Sequence, residues 1–256
     1  MTGLLLREDR GHVARLTLNR PAQRNALSQP LMAALHQALD AIEADHAIRV
    51  VVLAAAGPGF CAGHDLREVQ ALGRDGHEIV FAQCSALMLR LTTLRVPVIA
   101  RVHGIATAAG CQLVATCDLA IAGAAARFAT PGVNIGLFCS TPMVALSRAV
   151  GRKAAMAMLL TGEPIGAEHA ARVGLVNDAV PDAGLDPAVD ALAARIASRS
   201  PASVALGKPA FYHQADLPLP DAYAYASRVM VENMQLADAA EGISAILQRR
   251  EPNWPD

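Results

Sequence analysis

VPVIARVHGIATAAGCQLVATCD, residues 96–118, is the stretch that decides the fold. An apolar run rich in β-branched residues, Val98–Val102, is followed by a turn of small residues and then by the apolar segment 111–115. This pattern predicts a strand, a tight turn and a buried helix. Backbone N–H groups at the start of such a helix have no intrahelical partner, so they can stabilise an anion or a developing oxyanion. The small residues would let a ligand carbonyl approach these amides, although close packing alone would also favour them.

A second stretch, AAAGPGFCAGHDL at residues 54–66, has the same organisation. It follows an apolar strand predicted at 49–53 and leads through glycines into a helix. Asp65 can cap that helix, and Glu68, three residues later, can complete a capping box. Two strand-to-helix turns that each present a backbone N–H group predict an oxyanion hole formed by the main chain.

The segment before the second stretch gives further local predictions. Strands at 4–6 and 13–18 are expected to form a hairpin around the polar turn 8–11. Ser28 is expected to cap a helix that carries an apolar stripe at helical spacing. The members of this stripe are Leu31, Leu35, Leu39 and Ile42.

Composition limits the class of protein. The chain has 256 residues, enough for one large domain or for one domain with a helical appendage. The net charge is −1 without a basic run, which argues against nucleic acid or an anionic membrane surface as a partner. No run approaches the roughly 20 apolar residues of a membrane span. The five cysteines form no C-x-x-C pair, and the N-terminal residues do not resemble a signal or transit peptide, so we expect reduced thiols in a cytoplasmic protein.

The ordered motifs of this chain resemble those of the crotonase, or enoyl-CoA hydratase/isomerase, superfamily, and the resemblance covers nearly the whole sequence. They are LNRP at 18–21 with RNAL at 24–27, FCAGHDL at 60–66, the stretch at 96–118, TGEPI at 161–165 with GLV at 174–176, and EG at 241–242. The resemblance implies that the partner is an acyl-CoA thioester, whose carbonyl oxygen would lie between the backbone amides of His64 and Ala109. Coenzyme A would enter as part of the substrate, so no separate cofactor is expected.

The resemblance also implies which residues contact the coenzyme A portion. Arg24 would lie near the phosphates, although an arginine in a polar loop can equally be a solvated charge. The expected CoA-binding residues are Arg24, Ala26, Ala62, Gly63, Asp65 and Leu66.

Strand, turn and helix recur three times in the first part of the chain. The resemblance implies an α/β fold, the crotonase-like ββα superhelix with a helical C-terminal region. We expect residues 1–185 to form the core with the acyl-CoA pocket and residues 186–256 to form a helical oligomerisation region. Helices are predicted there at 187–197, 201–212 and 222–248. The resemblance implies a homotrimer, or a hexamer built as a dimer of trimers.

Two positions depart from the pattern of the family. Its hydratases use two glutamates, and alignment puts Gln112 and Gly132 at those places. Neither residue can exchange a proton with a substrate, although Gln112 could still orient a water. Because a positioned acid or base contributes about 10² to 10⁴-fold in rate, ordinary hydratase activity is expected to be very weak unless another group substitutes.

Four kinds of substitute are considered, a serine, two different histidines and a pair of cysteines. Ser140 falls where some branches of the family carry a carboxylate that acts on the substrate, but a hydroxyl without a partner base is a poor nucleophile. His64 replaces the alanine usual at the first oxyanion position; its imidazole could act as an acid or base, or could simply face the CoA or solvent. We expect structural hydrogen bonding from His103, and ordinary core packing from Cys111 and Cys139.

The glycines at 57, 59 and 63 lack the spacing of a dinucleotide-binding fingerprint, and no metal-ligand cluster is visible among the eight histidines. Three functions stay open. The first is a lyase or isomerase of the enoyl-CoA hydratase/isomerase type that stabilises a thioester enolate. The second is a protein that binds acyl-CoA, or only assembles, without catalysis. The third is a thioesterase or another hydrolase that uses Ser140 or a cysteine.

Overall fold

The computed structural model describes residues 3–254, and the strands found there form two sheets. The strands are β1 (Leu5–Arg10), β2 (Val13–Leu18), β3 (Val50–Ala55), β4 (Val98–Val102), β5 (Ile105–Thr107), β6 (Leu119–Gly123), β7 (Arg127–Ala129), β8 (Ile165–Gly166) and β9 (Asp178–Val180). The larger sheet has the order β1-β2-β3-β4-β6-β9; β1 and β2 form the predicted antiparallel hairpin, and the other neighbours are parallel. The smaller sheet has the order β5-β7-β8.

The helices lie between and after these strands. They are α1 (Gln29–Ala44), α2 (Leu66–Ala71), α3 (Arg74–Thr93), α4 (Ala109–Thr116), α5 (Ser140–Ala149), α6 (Arg152–Thr161), α7 (Ala167–Val173), α8 (Leu185–Ala197), α9 (Pro201–Ala215), α10 (Leu219–Met234) and α11 (Ala237–Leu247). Short 3-10 helices occur at Pro21–Gln23, Pro131–Ile135 and Asp182–Gly184. Within residues 3–254, none of the helices is long and apolar enough to cross a membrane.

The strand, turn and helix predicted for residues 96–118 are confirmed as β4 and α4, with one addition. The short strand β5 lies inside the predicted turn and pairs in parallel with β7. Three residues are too few for an alternating pattern, so nothing in the sequence marks β5. The hairpin turn predicted at 8–11 is wrong, because β1 continues to Arg10. Its charged side chains are tolerated because β1 is an edge strand.

The predicted helix starts are confirmed in part. Ser28 caps α1 by accepting a hydrogen bond from a first-turn amide, and the predicted apolar stripe of α1 is buried. Asp65 caps α2 in the same way through two amides. The predicted capping box is wrong, since the Glu68 carboxylate accepts from the Gln29 amide at 3.1 Å. This contact joins α2 to the start of α1.

The larger sheet is covered on both faces. The main core lies between the sheet and α1, α3 and α4. On the opposite face α8 packs against the sheet, where Leu185 is buried against Val50 and Ile99. These contacts make α8 part of the packing around the sheet. The predicted boundary between residues 185 and 186 would place nearly all of α8 in the C-terminal region instead.

Of the last three helices, α9 is attached to the core and α11 is largely exposed. Lys208 of α9 pairs with the largely buried Asp118 carboxylate at 2.8 Å, and the Tyr212 hydroxyl donates to the same carboxylate at 2.9 Å. The single helix predicted at 222–248 is wrong. The chain is extended at Leu236, with ψ 144°, which separates α10 from α11. No glycine or proline marks this break in the sequence.

Apolar side chains remain exposed on α10 and α11. They include Leu219, Tyr223, Met230, Val231, Ile243, Ile246 and Leu247. Ile246 and Leu247 are 78% and 79% exposed. Large apolar side chains exposed in such number on two consecutive helices are typical of an interaction surface.

Candidate active site

A cavity of about 500 Å³ lies beside the start of α4. It is lined by residues within 62–69, by Phe81 of α3, by residues 107–109 and by most of the loop 131–142. The lining is mostly apolar, and none of the described residues that line it is Asp, Glu, Lys or Arg. The cavity therefore suits an apolar group that is oriented by a few polar contacts.

The first of two free backbone amides belongs to His64. The Leu27 amide donates to the Gly63 carbonyl at 2.7 Å, and the Asp65 amide donates to the Leu27 carbonyl at 3.0 Å. Successive N–H groups of an extended segment point in opposite directions, so the His64 amide points away from Leu27. It has no acceptor among the described residues.

The second free amide belongs to Ala109, the first residue of α4. Ala108, which precedes it, has φ +50° and ψ −118°, a region that non-glycine residues rarely adopt. The first amide of a helix has no intrahelical acceptor, and that of Ala109 has none elsewhere in the described chain. The strained turn at Ala108 therefore leaves the Ala109 amide free on the cavity wall.

Two glycines bring the two turns together. An ideal Cβ at Gly110 would lie 2.1 Å from the Cys61 carbonyl oxygen, so only glycine fits there. Gly63 has φ +93°, and an ideal Cβ at this position would lie 3.5 Å from the Ala109 nitrogen. The amides of His64 and Ala109 thus lie on adjacent segments, the arrangement that two donors need to reach one carbonyl oxygen.

Side chains from two directions fix the turn 56–59, which precedes the first amide. The Asn25 side chain donates to two carbonyls of this turn, each at 2.8 Å. His103 donates from Nε2 to a third carbonyl at 2.8 Å and accepts at Nδ1 from Arg101 at 2.9 Å. The predicted structural hydrogen bonding of His103 is thereby confirmed. Arg101 in turn pairs with Asp186 of α8 at 2.7 Å, and this contact lowers the pKa of the Asp186 carboxyl to about 2.

The imidazole of His64 lines the cavity. Its Nε2 is buried and has no hydrogen-bond partner among the described residues. The ring meets the Phe81 ring edge to face, with the centroids 5.3 Å apart. Burial lowers the pKa of His64, so the neutral imidazole predominates at pH 7.

A serine or cysteine nucleophile has little support in this arrangement. Burial raises the pKa of Cys139, which lines the cavity, and raises the pKa of Cys111 to about 12, so both are thiols at neutral pH. The Ser140 hydroxyl also lines the cavity and donates to the Phe138 carbonyl at 3.3 Å. No described base contacts this hydroxyl, so it is not activated for attack.

Gln112 and Gly132 have surroundings that restrict what they can do. Gln112 lies one turn into α4, is buried, and does not line the cavity; its Oε1 has no partner in the described chain. Gly132 does line the cavity. An ideal Cβ there would lie 2.7 Å from the Leu137 carbonyl oxygen and 2.9 Å from the Cys139 Sγ. Any larger residue at 132 therefore requires the loop to move.

Two of the residues predicted to bind CoA line the cavity, namely Ala62 and Leu66. Arg24 lies directly behind them, because the Ala62 amide donates to the Arg24 carbonyl at 3.0 Å. The Arg24 side chain is exposed, and Arg24 itself does not line the cavity.

Ala26 and Asp65, which are also in the predicted CoA-binding set, are joined to each other by Arg20. The Arg20 guanidinium donates to the Ala26 carbonyl at 2.6 Å and to the Asp65 carboxylate at 2.9 Å. The hydrogen bond from Arg20 to the Asp65 carboxylate lowers the pKa of Asp65. Because Asp65 also caps α2, its carboxylate is fully used within the protein.

Several lining residues are absent from the predicted site. Val69, Phe81, Leu137 and Phe138 supply much of the apolar wall. Phe81 follows the buried Val80 and lies outside the inward stripe of α3. An aromatic residue on the outer face of a helix indicates a binding surface, and this was the signal in the sequence that could have identified Phe81. Leu137 and Phe138 lie in a loop, where no periodic pattern identifies them.

The fold and the paired amides define a crotonase-type protein. The enoyl-CoA hydratase/isomerase family model matches residues 8–256, and the chain belongs to that family. A solved enoyl-CoA hydratase from Mycobacterium smegmatis has a TM-score of 0.96 and 52% identity, over 98% of this chain and 99% of that one. Human enoyl-coenzyme A hydratase domain-containing protein 3 has a TM-score of 0.96 and 45% identity, over 98% and 100%. The mitochondrial enoyl-CoA hydratase domain-containing protein 3 of Xenopus laevis is 49% identical to this chain, over 98% of this chain and 85% of that protein.

The predicted family and the predicted α/β crotonase fold are confirmed by these similarities. Membership of the family implies acyl-CoA binding. The roles of individual residues remain predictions, and they are developed below.

Proposed function

We propose that this chain is an enzyme of the enoyl-CoA hydratase/isomerase type that binds an acyl-CoA thioester in the cavity and stabilises its enolate. The observation that carries the proposal is the pair of free backbone amides, those of His64 and Ala109, on adjacent segments of one apolar cavity. Two donors aimed at the thioester oxygen stabilise the negative charge that develops when C-2 loses a proton. One such donor typically supplies about 2.7–4 kcal/mol of transition-state stabilisation.

The proposed orientation of the substrate follows from the two ends of the cavity. The CoA portion is assigned to the edge formed by Ala62 and Leu66, with Arg24 behind it, because an exposed guanidinium suits phosphate. The acyl chain is assigned to the wall formed by Phe81 and the loop 131–142. Each methylene buried there would contribute about 0.8 kcal/mol.

Two further residues receive supporting roles. Ser140 is assigned a contact with the acyl group, since its hydroxyl lines the cavity without a base. Gln112 is assigned a supporting position behind the Ala109 amide, where its unpartnered Oε1 can hold a water. Neither residue supplies a proton, so addition of water to a conjugated thioester is expected to be weak.

The variant Ala109→Pro tests the proposal. Proline lacks the N–H group and is accepted at the first position of a helix, so in a protein that circular dichroism shows to be folded this change removes one donor. We expect turnover of a responsive acyl-CoA, followed by the thioester absorbance, to fall about 10² to 10³-fold. Arg152→Pro, at the exposed first position of α6, is the matched control and should keep full turnover. Unchanged turnover in a folded Ala109→Pro protein would contradict the proposal.

A second function, binding of acyl-CoA without catalysis, is favoured by one observation: no carboxylate is found among the described residues that line the cavity. Calorimetric titration with crotonyl-CoA and acetyl-CoA, followed by absorbance and mass spectrometry of the same mixtures, distinguishes the two. Binding with turnover supports the enzyme. Binding without any chemical change supports the non-catalytic protein.

We also propose that the chain assembles into a homotrimer or into a hexamer of two trimers. The exposed apolar side chains of α10 and α11 support this proposal, since burial of such a surface drives association. We assign the oligomerisation region to α9–α11, because α8 packs on the sheet. Sedimentation equilibrium should give three or six times the chain mass of 26.7 kDa.

A cytoplasmic location is proposed as well. The cysteines of the chain are unpaired and buried, which suits a reducing compartment. The similar vertebrate proteins are named as mitochondrial, so the mitochondrion is the alternative location. Fractionation of the source cells decides between the two.

A further inference from the structure

We propose that the imidazole of His64 is the proton carrier of the cavity, and that it moves the double bond of an enoyl thioester between the C-3/C-4 and C-2/C-3 positions. This inference rests on the proposed function, because it needs the thioester oxygen to be held by the two amides. It assigns the reaction class as an internal proton shift without addition of water.

The cavity offers few groups that can exchange a proton. Among its described lining residues only His64 and Cys139 titrate, and burial keeps Cys139 a thiol by raising its pKa. Gly132 leaves no room for a carboxylate, since an ideal Cβ there is 2.7 Å from a backbone carbonyl oxygen. The carboxylate next in sequence, Asp65, is paired with Arg20 at 2.9 Å and caps α2. His64 is therefore the base available to a bound substrate.

The His64 ring packs against Phe81, but its Nε2 has no structural hydrogen bond among the described residues. Its Nε2 is buried without a partner in the described chain, whereas both ring nitrogens of His103 are hydrogen-bonded. Unpartnered buried polar atoms are uncommon in folded proteins, and a catalytic role is one established reason for them. The contact with Phe81 holds the ring on the cavity wall. The ring is neutral at pH 7, so it can accept a proton.

The position of the ring relative to the substrate follows from the chain itself. His64 supplies one of the two amides that hold the thioester oxygen, and its side chain lines the same cavity. A carbonyl bound at this amide therefore has its neighbouring carbons within the space that the imidazole borders. Proton transfer needs this proximity before any adjustment of pKa.

One base is sufficient for the reaction. From a 3-enoyl thioester the imidazole takes a proton from C-2; the C–H electron pair forms a C-1/C-2 double bond, and the carbonyl oxygen becomes an oxyanion held by the amides. The imidazolium then returns the proton to C-4. The C-3/C-4 pair forms the new C–H bond, the C-1/C-2 pair moves to C-2/C-3, and the carbonyl is restored. No atom is gained or lost, whereas hydration needs a base for water and an acid for carbon.

The experiment uses the full chain with 3-hexenoyl-CoA in deuterium oxide. Absorbance of the conjugated product measures isomerisation, and mass spectrometry measures deuterium incorporation into the acyl chain. His64→Gln keeps the backbone amide, so we expect its rate to fall about 10² to 10⁴-fold while its Kd for acetyl-CoA stays close to that of the wild type. His64→Phe, which preserves an aromatic contact with Phe81, should lose the rate as well. His46→Gln, an exposed surface change, is the control and should keep it.

The wild-type rate should fall at acid pH as the imidazole protonates, with a midpoint below the ordinary histidine pKa of about 6.5. Full isomerisation by His64→Gln would overturn the assignment. A wild-type chain that binds the thioester but neither isomerises it nor exchanges its protons would also overturn it, and would leave the binding proposal standing. Absence of binding by the wild type would overturn the proposed function, and this inference with it.

Discussion

Ala108 shows how a single residue forms the site. Its φ of +50° is a conformation that glycine adopts freely and alanine does not. Strain of this kind costs about 1–3 kcal/mol and persists only where the surroundings enforce it. Here the surrounding contacts are the hydrogen bond from the Ala108 amide to the Ala129 carbonyl and the packing of Gly63 against the turn. The strained residue directly precedes the Ala109 amide, on which the proposed chemistry depends.

Ala108→Gly should therefore stabilise the protein. Relief of the strain, less the greater flexibility of glycine in the unfolded chain, gives an expected gain of about 1 kcal/mol in the free energy of unfolding. Urea denaturation followed by circular dichroism measures it. Ala125→Gly, at an exposed alanine without a positive φ, is the control and should gain nothing. Equal or lower stability of Ala108→Gly would show that the turn is not strained.

At the residue scale, the sequence predicts the two amides and leaves their surroundings open. Small residues between a strand and a helix are a local signal for a turn with free amides, and the resemblance to the family assigns these amides to His64 and Ala109. The isolation of the His64 ring and the tight space around Gly132 depend on contacts with α3 and the loop 131–142. Such contacts join distant parts of the chain, and no local pattern encodes them.

At the element scale, α9 is attached to the core by a buried polar cluster. Lys208 and Asp118 have side chains only 6% and 15% exposed. The Lys208 ammonium also donates to the carbonyls of Leu91 and Val96, at 2.8 and 2.9 Å. Burial lowers the pKa of Lys208, while the Asp118 carboxylate opposes this effect. The cluster therefore fixes the first of the C-terminal helices against the end of α3 and the start of β4.

Lys208→Met should destabilise the protein by about 3–5 kcal/mol, because it leaves the Asp118 carboxylate buried without its cation. The free energy of unfolding from urea denaturation tests this expectation. Lys153→Met, at an exposed lysine of α6, is the matched control and should change it by less than about 0.5 kcal/mol. A Lys208→Met protein as stable as the control would show that α9 does not depend on this cluster.

Most elements could be predicted from the sequence because their patterns are long. The stripe of α1 spans three turns, and β4 is an apolar run interrupted only by Arg101. The break between α10 and α11 could not be predicted, since residues 234–237 contain neither glycine nor proline. The extended conformation at Leu236 is accompanied by a tertiary contact, the buried hydrogen bond between Ser200 and Asp238 at the start of α11.

At the scale of the whole molecule, the chain combines a well-covered sheet with an uncovered C-terminal surface. Both faces of the larger sheet are buried, by α1, α3 and α4 on one side and by α8 on the other. The apolar side chains of α10 and α11 have no comparable cover. A single chain thus covers its core but not its C-terminal surface, which is why we propose assembly.

Ile246→Asp should weaken that assembly, because it introduces a charge into the apolar surface at a residue that is 78% exposed in the single chain. Analytical ultracentrifugation should show a shift of the mass towards 26.7 kDa. Leu4→Asp, an exposed leucine far along the chain from α11, is the control and should leave the mass unchanged. An unchanged oligomer in Ile246→Asp would remove Ile246 from the interface.

The central claim is that two backbone amides polarise the carbonyl of a bound thioester. The most direct measurement is the infrared difference spectrum of hexadienoyl-CoA labelled with ¹³C at the thioester carbonyl, free and bound to the protein. Two hydrogen bonds from His64 and Ala109 weaken the C=O bond, so we predict that the carbonyl band moves to lower wavenumber on binding and that Ala109→Pro loses much of this shift. A bound carbonyl band at the position of the free thioester would contradict the claim.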